Sequence, residues 1–256
     1  MKLGVTAVLV LVLHGLVLAP PTSAQDSQQG KAVYDSRCVI CHGDQGDGRG
    51  LVGIVHRAQA NGLVVTTYPR DFTAAVFKFR STPSGTLPTG EDLMRIVTEG
   101  ISRSGMPSHT DLSEAERQDV VAYIKTFSQR WEQDEPGESL VIPSAPDYVG
   151  STQSADRGAE VYRTMQCFQC HGDEGLGDGP ASATLQDSWG DKTIPFDFTS
   201  GPLKAGSTPA VIYRTFMTGL DGTPMPSYEE AMPDEQDRWD LVSYCLRLMS
   251  GAPVSQ

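Results

Sequence analysis

Apolar side chains recur at helical spacing in two sets of three segments. In the first set, Ala32 and Val33 fall within about 28–38, and Leu93, Ile96 and Val97 within about 90–99. Val120, Val121, Ile124 and Phe127 fall within about 113–130. Residues three and four apart share one helix face, so each segment predicts an amphipathic helix. Ser113 and Glu116 have the spacing of a capping box that starts the third. The second set covers about 155–167, 208–218 and 233–249. Its last member lines up Leu241, Tyr244, Cys245 and Leu248, and Pro233 suits its first turn. The first and last helices of each set are expected to cross as a pair.

The stretches between these helices differ in character. Gly43 to Pro88 reads as a long loop, but its Tyr68, Phe72, Phe77 and Phe79 argue that it is packed. Residues 131–154 carry Pro136, Pro143 and Pro146 among acidic and small residues, which is a linker composition. Val141 and Ile142 suggest that part of this linker packs down. At the N-terminus, Met1-Lys2 precedes an apolar run from Leu3 to Leu18 and then small residues ending at Ala24. That order predicts a cleaved secretory signal peptide over 1–24 rather than a membrane anchor, since the run is shorter than a bilayer requires. No second long apolar run follows, so no membrane span is expected after cleavage. The expected division is thus 1–24 signal peptide, 25–130 first domain, 131–154 linker and 155–256 second domain.

Charge narrows the classes. The 256 residues carry 20 Lys and Arg against 32 Asp and Glu, a net charge of -12. Phosphate neutralisation needs a basic surface, so a nucleic-acid binder is not expected. Adhesion to anionic lipid is disfavoured for the same reason. The expected partners are proteins with basic docking patches.

Four of the five cysteines form two Cys-x-x-Cys-His motifs, Cys38-Val39-Ile40-Cys41-His42 and Cys167-Phe168-Gln169-Cys170-His171. Two cysteines on one helical turn can form thioethers with the two vinyl groups of a porphyrin, and the adjacent His can ligate its iron. A redox disulfide or a zinc site could use the Cys pairs alone, but the immediate His in both copies fits haem better. An exported compartment suits such covalent chemistry.

Each motif is followed by Gly-Asp, and the chain repeats itself around them. Gly30-Lys-Ala-Val-Tyr34 echoes Gly158-Ala-Glu-Val-Tyr162, and Arg70-Asp71-Phe72-Thr73 echoes Phe196-Asp197-Phe198-Thr199. Thr89–Gly100 aligns without gaps to Thr208–Gly219, and a Met-Pro-Ser follows each, at Met106 and Met225. The chain resembles the class I c-type cytochromes in a tandem dihaem form. The resemblance implies an all-α fold of two class I cytochrome c-like domains with long loops, each around one covalent haem. It places Cys38, Cys41, Cys167 and Cys170 as thioether sites, His42 and His171 as proximal iron ligands, and Met106 and Met225 as the distal ones.

His56 and His109 have no counterparts in the second repeat and read as surface histidines. Cys245 aligns with an apolar position and reads as a buried core thiol. Trp131, Trp189 and Tyr148 either line haem edges or simply pack. Arg70, Lys78 or Arg80 could face the propionates, the rival reading being plain surface cations. Two irons with both axial sites filled have no vacancy for substrate, so the expected function is single-electron transfer between respiratory partners in the periplasm. The protein could act as a free shuttle or as the cytochrome subunit of a larger oxidoreductase. The alternative is a dihaem enzyme such as a peroxidase, in which one haem opens a coordination site.

Overall fold

The computed structural model describes residues 26–251, so the expected leader at 1–24 lies outside the described residues. Helix α1 (Ser27–Arg37) starts where the Asp26 carboxylate accepts from the Gln28 and Gln29 amides. After Cys38, the single turn α2 (Val39–His42) carries Cys41 and His42. Helix α3 (Gly90–Glu99) opens on a Thr89/Asp92 capping box, and α4 (Glu114–Lys125) on the expected Ser113/Glu116 box. Helix α4 stops five residues before the expected end. The Thr126 amide and hydroxyl both turn back to the Tyr123 carbonyl, at 3.0 and 2.7 Å, which tightens the chain out of α geometry. The short α5 (Arg130–Gln133) then follows.

The second half repeats this plan. Helix α6 (Thr152–Thr164) begins earlier than periodicity suggested because Ser151 caps it. It ends before Gln166, whose φ of 58° is left-handed. The turn α7 (Phe168–His171) carries Cys170 and His171, α8 (Pro209–Thr218) follows, and α9 (Glu235–Ser250) closes the domain. Asp234 caps α9, so Pro233 stands outside the helix rather than in its first turn.

Pairing of the outer helices in each half depends on a missing side chain. A Cβ on Gly30 would lie 1.9 Å from the Asp119 carbonyl oxygen, and a Cβ on Gly158 would lie 1.9 Å from that of Asp240. Helix α1 therefore crosses α4, and α6 crosses α9, with backbones in contact. Around the first crossing lie Tyr34, Phe72, Leu93, Val97, Val120, Val121 and Ile124. The second core is larger and includes Tyr162, Phe198, Ile212, Tyr213, Phe216, Trp239 and Leu248. Cys245 is buried in it, as expected.

Among the described residues, the helices are joined by one small sheet inside the expected loop and by irregular segments. Strand β1 (Val55–Ala58) pairs antiparallel with β2 (Val64–Thr67), Val55 opposite Thr67. The Gln59 amide donates to Leu63 and the Gly62 amide to Gln59, closing the turn. His56 stands exposed on β1, its Nδ1 3.0 Å from the Thr66 hydroxyl. His109 is a correction: it is buried, because the Met106-Pro107-Ser108 segment folds back until the His109 amide donates to the Thr98 carbonyl of α3 at 3.1 Å.

From 134 to 151 the chain has no regular structure but is bonded along its length. Gly137 donates to the Leu87 carbonyl and Leu140 to that of Ser81. Leu140 and Ile142 pack on the second core, while Val141 is 90% exposed, against the expectation that it packs. Trp131 packs against Phe77, and Tyr148 joins the second core. Among the described residues, no helix is long and apolar enough to cross a membrane.

Candidate metal centres

His42 and His171 are held by the same three devices. The Nδ1 of His42 donates to the Arg70 carbonyl at 3.0 Å, and that of His171 to the Phe196 carbonyl at 3.2 Å. With Nδ1 donating, Nε2 of each ring keeps its lone pair for a metal. Burial pushes the pKa of both rings down, which keeps them neutral. Phe72 stacks on His42 with centroids 4.5 Å apart and planes 18° apart, and Phe198 lies on His171 at 5.0 Å and 34°. Each Phe is fixed in turn, Phe72 donating its amide to Gly46 and Phe198 to Gly175. The third device is a tyrosine from the outer helix. The Tyr34 hydroxyl donates to the Gly43 carbonyl at 2.8 Å and that of Tyr162 to Gly172 at 2.6 Å, clamping the residue after each His.

These roles explain the repeat. In Gly-x-x-x-Tyr, the Gly admits the helix crossing and the Tyr holds the haem-motif turn. In Asp-Phe-Thr, the Phe covers the imidazole, while the carbonyl just before the Asp orients it. The sequence displayed both echoes without revealing what they do.

The cysteine pairs sit in separate domains, Cys38 packing on the first core and Cys167 on the second. Burial raises the Cys38 and Cys167 thiols to about 11, so they are uncharged at neutral pH. An activated redox dithiol needs a depressed thiol instead.

Met106 and Met225 stand at equivalent, half-buried places on tight loops. Ile101 donates to the Met106 carbonyl at 2.9 Å and Leu220 to that of Met225 at 3.1 Å. Gly100 and Gly219, with φ of 69° and 67°, end α3 and α8. A Cβ on Gly100 would fall 2.4 Å from Pro107, and one on Gly219 2.6 Å from Ser227. Both Met loops are thus seated on the preceding helix end.

Between the two halves lies a group of cations. Arg70 stacks on Trp189 at 4.9 Å, Lys204 donates to the Thr67 hydroxyl at 2.8 Å, and Arg103 donates to the Ser200 carbonyl at 2.9 Å. Desolvation, then repulsion from neighbouring cations, pushes Lys78 and Lys204 down to about 8, and desolvation brings Arg70 to about 10. Arg80, expected as a surface or propionate-facing residue, is fully buried. It bonds the Phe77, Pro83 and Thr218 carbonyls and pairs with Asp221 at 2.9 Å, so its charge is already matched within the protein.

The turn between β1 and β2 reaches the second centre. Gln59 accepts from the Asp197 amide and donates to the Pro195 carbonyl. The Asn61 amide donates to the Asp197 carboxylate at 3.0 Å. Residues 195–197 include Phe196, whose carbonyl orients His171, so the first domain touches the segment that sets the second site. Asn61-Gly62, followed by the β-branched run Val64–Thr67, was the available signal for this hairpin.

Comparison with known proteins supplies the setting. Residues 25–124 match the family described as Cytochrome C oxidase, cbb3-type, subunit III, and residues 155–248 match Cytochrome c. No curated protein matches the chain. A solved structure titled as a reducing HAO-like protein complex of Kuenenia stuttgartiensis contains a chain 38% identical to this one, with a TM-score of 0.78. That alignment covers 87% of this chain and 96% of the other.

Proposed function

The chain belongs to the tandem dihaem c-type cytochromes, and from that premise we propose that it carries single electrons between redox proteins outside the cytoplasm. Its two cytochrome c domains imply two covalent c-type haems, and Cys38/Cys41 and Cys167/Cys170 fit the attachment motif. The domains are taken as 25–130 and 155–256, joined by 131–154, with 1–24 removed on export.

The observation that carries this reading is the duplicated frame of carbonyl, phenylalanine and tyrosine around His42 and His171. Each bound haem supplies an iron that cycles between two oxidation states. Cys38, Cys41, Cys167 and Cys170 would hold the haems through thioethers. His42 with Met106 and His171 with Met225 would ligate the two irons. A neutral imidazole and a thioether add no charge, and a thioether ligand favours a high potential. Fixed rings and seated loops mean little rearrangement when the charge changes. The half-buried Arg70, Lys78 and Lys204 have the sign needed to compensate haem propionates, which would relieve the repulsion among them. Were His42, Met106, His171 and Met225 all bound to iron, no open site would remain for a substrate, which supports a carrier over an enzyme.

The likeness to a chain of an HAO-like complex supports the role of cytochrome subunit in a larger oxidoreductase over that of a free shuttle. The acidic surface, as at Asp173, Glu174 and Asp178 near the second centre, suits partners with basic patches.

A potentiometric titration of the holoprotein, followed in the visible and near-infrared, tests the proposal. Two one-electron steps are expected, each with loss of a methionine-to-ferric-haem band on reduction. A haem lacking that band and binding cyanide readily would refute the paired His/Met assignment.

A further inference from the structure

The loops that fold back on the two haem motifs differ in the surface they present to solvent. In each domain the chain after the motif folds back on it in the same way. Gly50 donates to the Cys41 carbonyl and Val52 to that of Ile40, while Gly179 donates to Cys170 and Ala181 to Gln169. These bonds make Ile40 equivalent to Gln169, Leu51 to Pro180, Val52 to Ala181 and Arg49 to Asp178. Every one of the four is more apolar or more basic in the first domain. Ile40, Leu51, Val52 and Ile54 are 52%, 93%, 52% and 55% exposed. Isolated exposed apolar residues need no explanation, but a contiguous group does.

The patch sits on the attachment site. A Cβ at Gly53 would lie 3.1 Å from Cys41 Sγ, so the loop bearing these side chains packs directly on a sulfur that would carry the haem. Beyond Asp47, whose carboxylate accepts from the Arg49 amide, the loop's charge is inverted relative to the molecule. From Gly48 to Arg70 there is no Asp or Glu, while Arg49, Arg57 and Arg70 are present, in a chain of net charge -12. Arg49 stands exposed two residues from Leu51, and Arg57 is exposed on β1.

We propose that this face is the docking surface for a redox protein whose contact face has an apolar centre and a carboxylate rim. The proposal rests on the electron-carrier reading and adds that the two haems meet partners of different kinds. Apolar contact would exclude water over the haem edge, and the arginines would select the acidic partner. The second motif, with Gln169 and Asp178 in the matching places, would not accept that partner.

The test uses a gold electrode coated with mixed methyl- and carboxylate-terminated alkanethiols as the probe. The wild-type holoprotein is expected to adsorb and give a reversible voltammetric wave, despite its net negative charge, with coverage falling as salt rises. R49D and the L51S/V52S double variant should each lower coverage about tenfold. V141S, which removes an exposed apolar side chain far along the chain, should not. Failure of the wild type to adsorb, or full adsorption by both patch variants, would overturn the proposal. So would a wild-type dimer in sedimentation that L51S/V52S dissolves, since the patch would then belong to a second copy. Haems that fail to take up electrons reversibly in free solution would defeat the carrier reading itself, a separate result from failure to dock.

Discussion

The first metal centre touches the second domain only through side chains, as where Arg70 stacks on Trp189, whereas the backbone segment that sets the second is hydrogen-bonded to the first domain. His42 is oriented by Arg70 and covered by Phe72, both from the loop that follows its own motif. His171 is oriented by Phe196, but the segment around Phe196 is bonded to Gln59 and Asn61 of the first domain. The repeat therefore duplicates the frame around the imidazole without duplicating what supports that frame. Two sites that look equivalent in sequence are expected to respond differently when the domains are loosened.

The largest effect should come from the axial loops. M106A and M225A should each lower the potential of one haem by about 0.2 V and leave the other nearly unchanged, because axial ligation is the strongest lever on haem potential. Potentiometry resolves the two; a shift of both haems by one substitution would show that the centres are not separable. Next, Q59A removes the hairpin's two side-chain bonds to Pro195 and Asp197. It should cost about 2–3 kcal/mol, since buried partners are left unsatisfied, and should broaden the signals of the second haem alone in NMR spectra of the ferric protein. Equal broadening of both would erase the asymmetry.

Smaller effects sharpen the shared frame. Y34F and Y162F each remove one buried hydroxyl-to-carbonyl bond and should cost about 1 kcal/mol in their own domain, read by denaturant melts at the Soret band. The smallest is a pH effect at Asp197. Burial opposes its ionisation, but hydrogen bonds from Thr199, Ser200 and the Asn61 amide outweigh that and hold its pKa below the usual carboxylate value. A depressed folded pKa gives stability that is complete above the unfolded pKa near 4 and is lost as pH falls through the folded value. The stability gap between wild type and D197N should thus be flat from pH 5 to 7 and close below pH 4. A gap that closes near neutrality would overturn that reading of the contact.

What could be read from the sequence was local or repeated. The Cys-x-x-Cys-His motifs, the Met-Pro-Ser pair and the helix faces each lie within a short window, and duplication separated Met106 and Met225 from the other methionines. The Gly30 and Gly158 crossings were legible as pattern, though not as the backbone contacts that require them. The features missed depend on residues far apart in the chain. Arg80 finds Asp221 and the Thr218 carbonyl across the domain boundary, where no spacing rule operates. His109 is buried because a loop folds back on α3, a tertiary event that overrides its polar flanks. The hairpin was hidden for a different reason: its strands are short and have no buried residue, so they lack the alternation that marks a buried strand.

The strapping of residues 134–151 along both domains fixes the kinetic order of exchange between the two haems. A chain tied at Leu87, Ser81 and the second core presents each domain to the other at an effective concentration that dilution cannot change. An electron placed on one haem should reach the other by a first-order process. Its rate should stay constant as the protein is diluted, while transfer to any separate molecule slows in proportion.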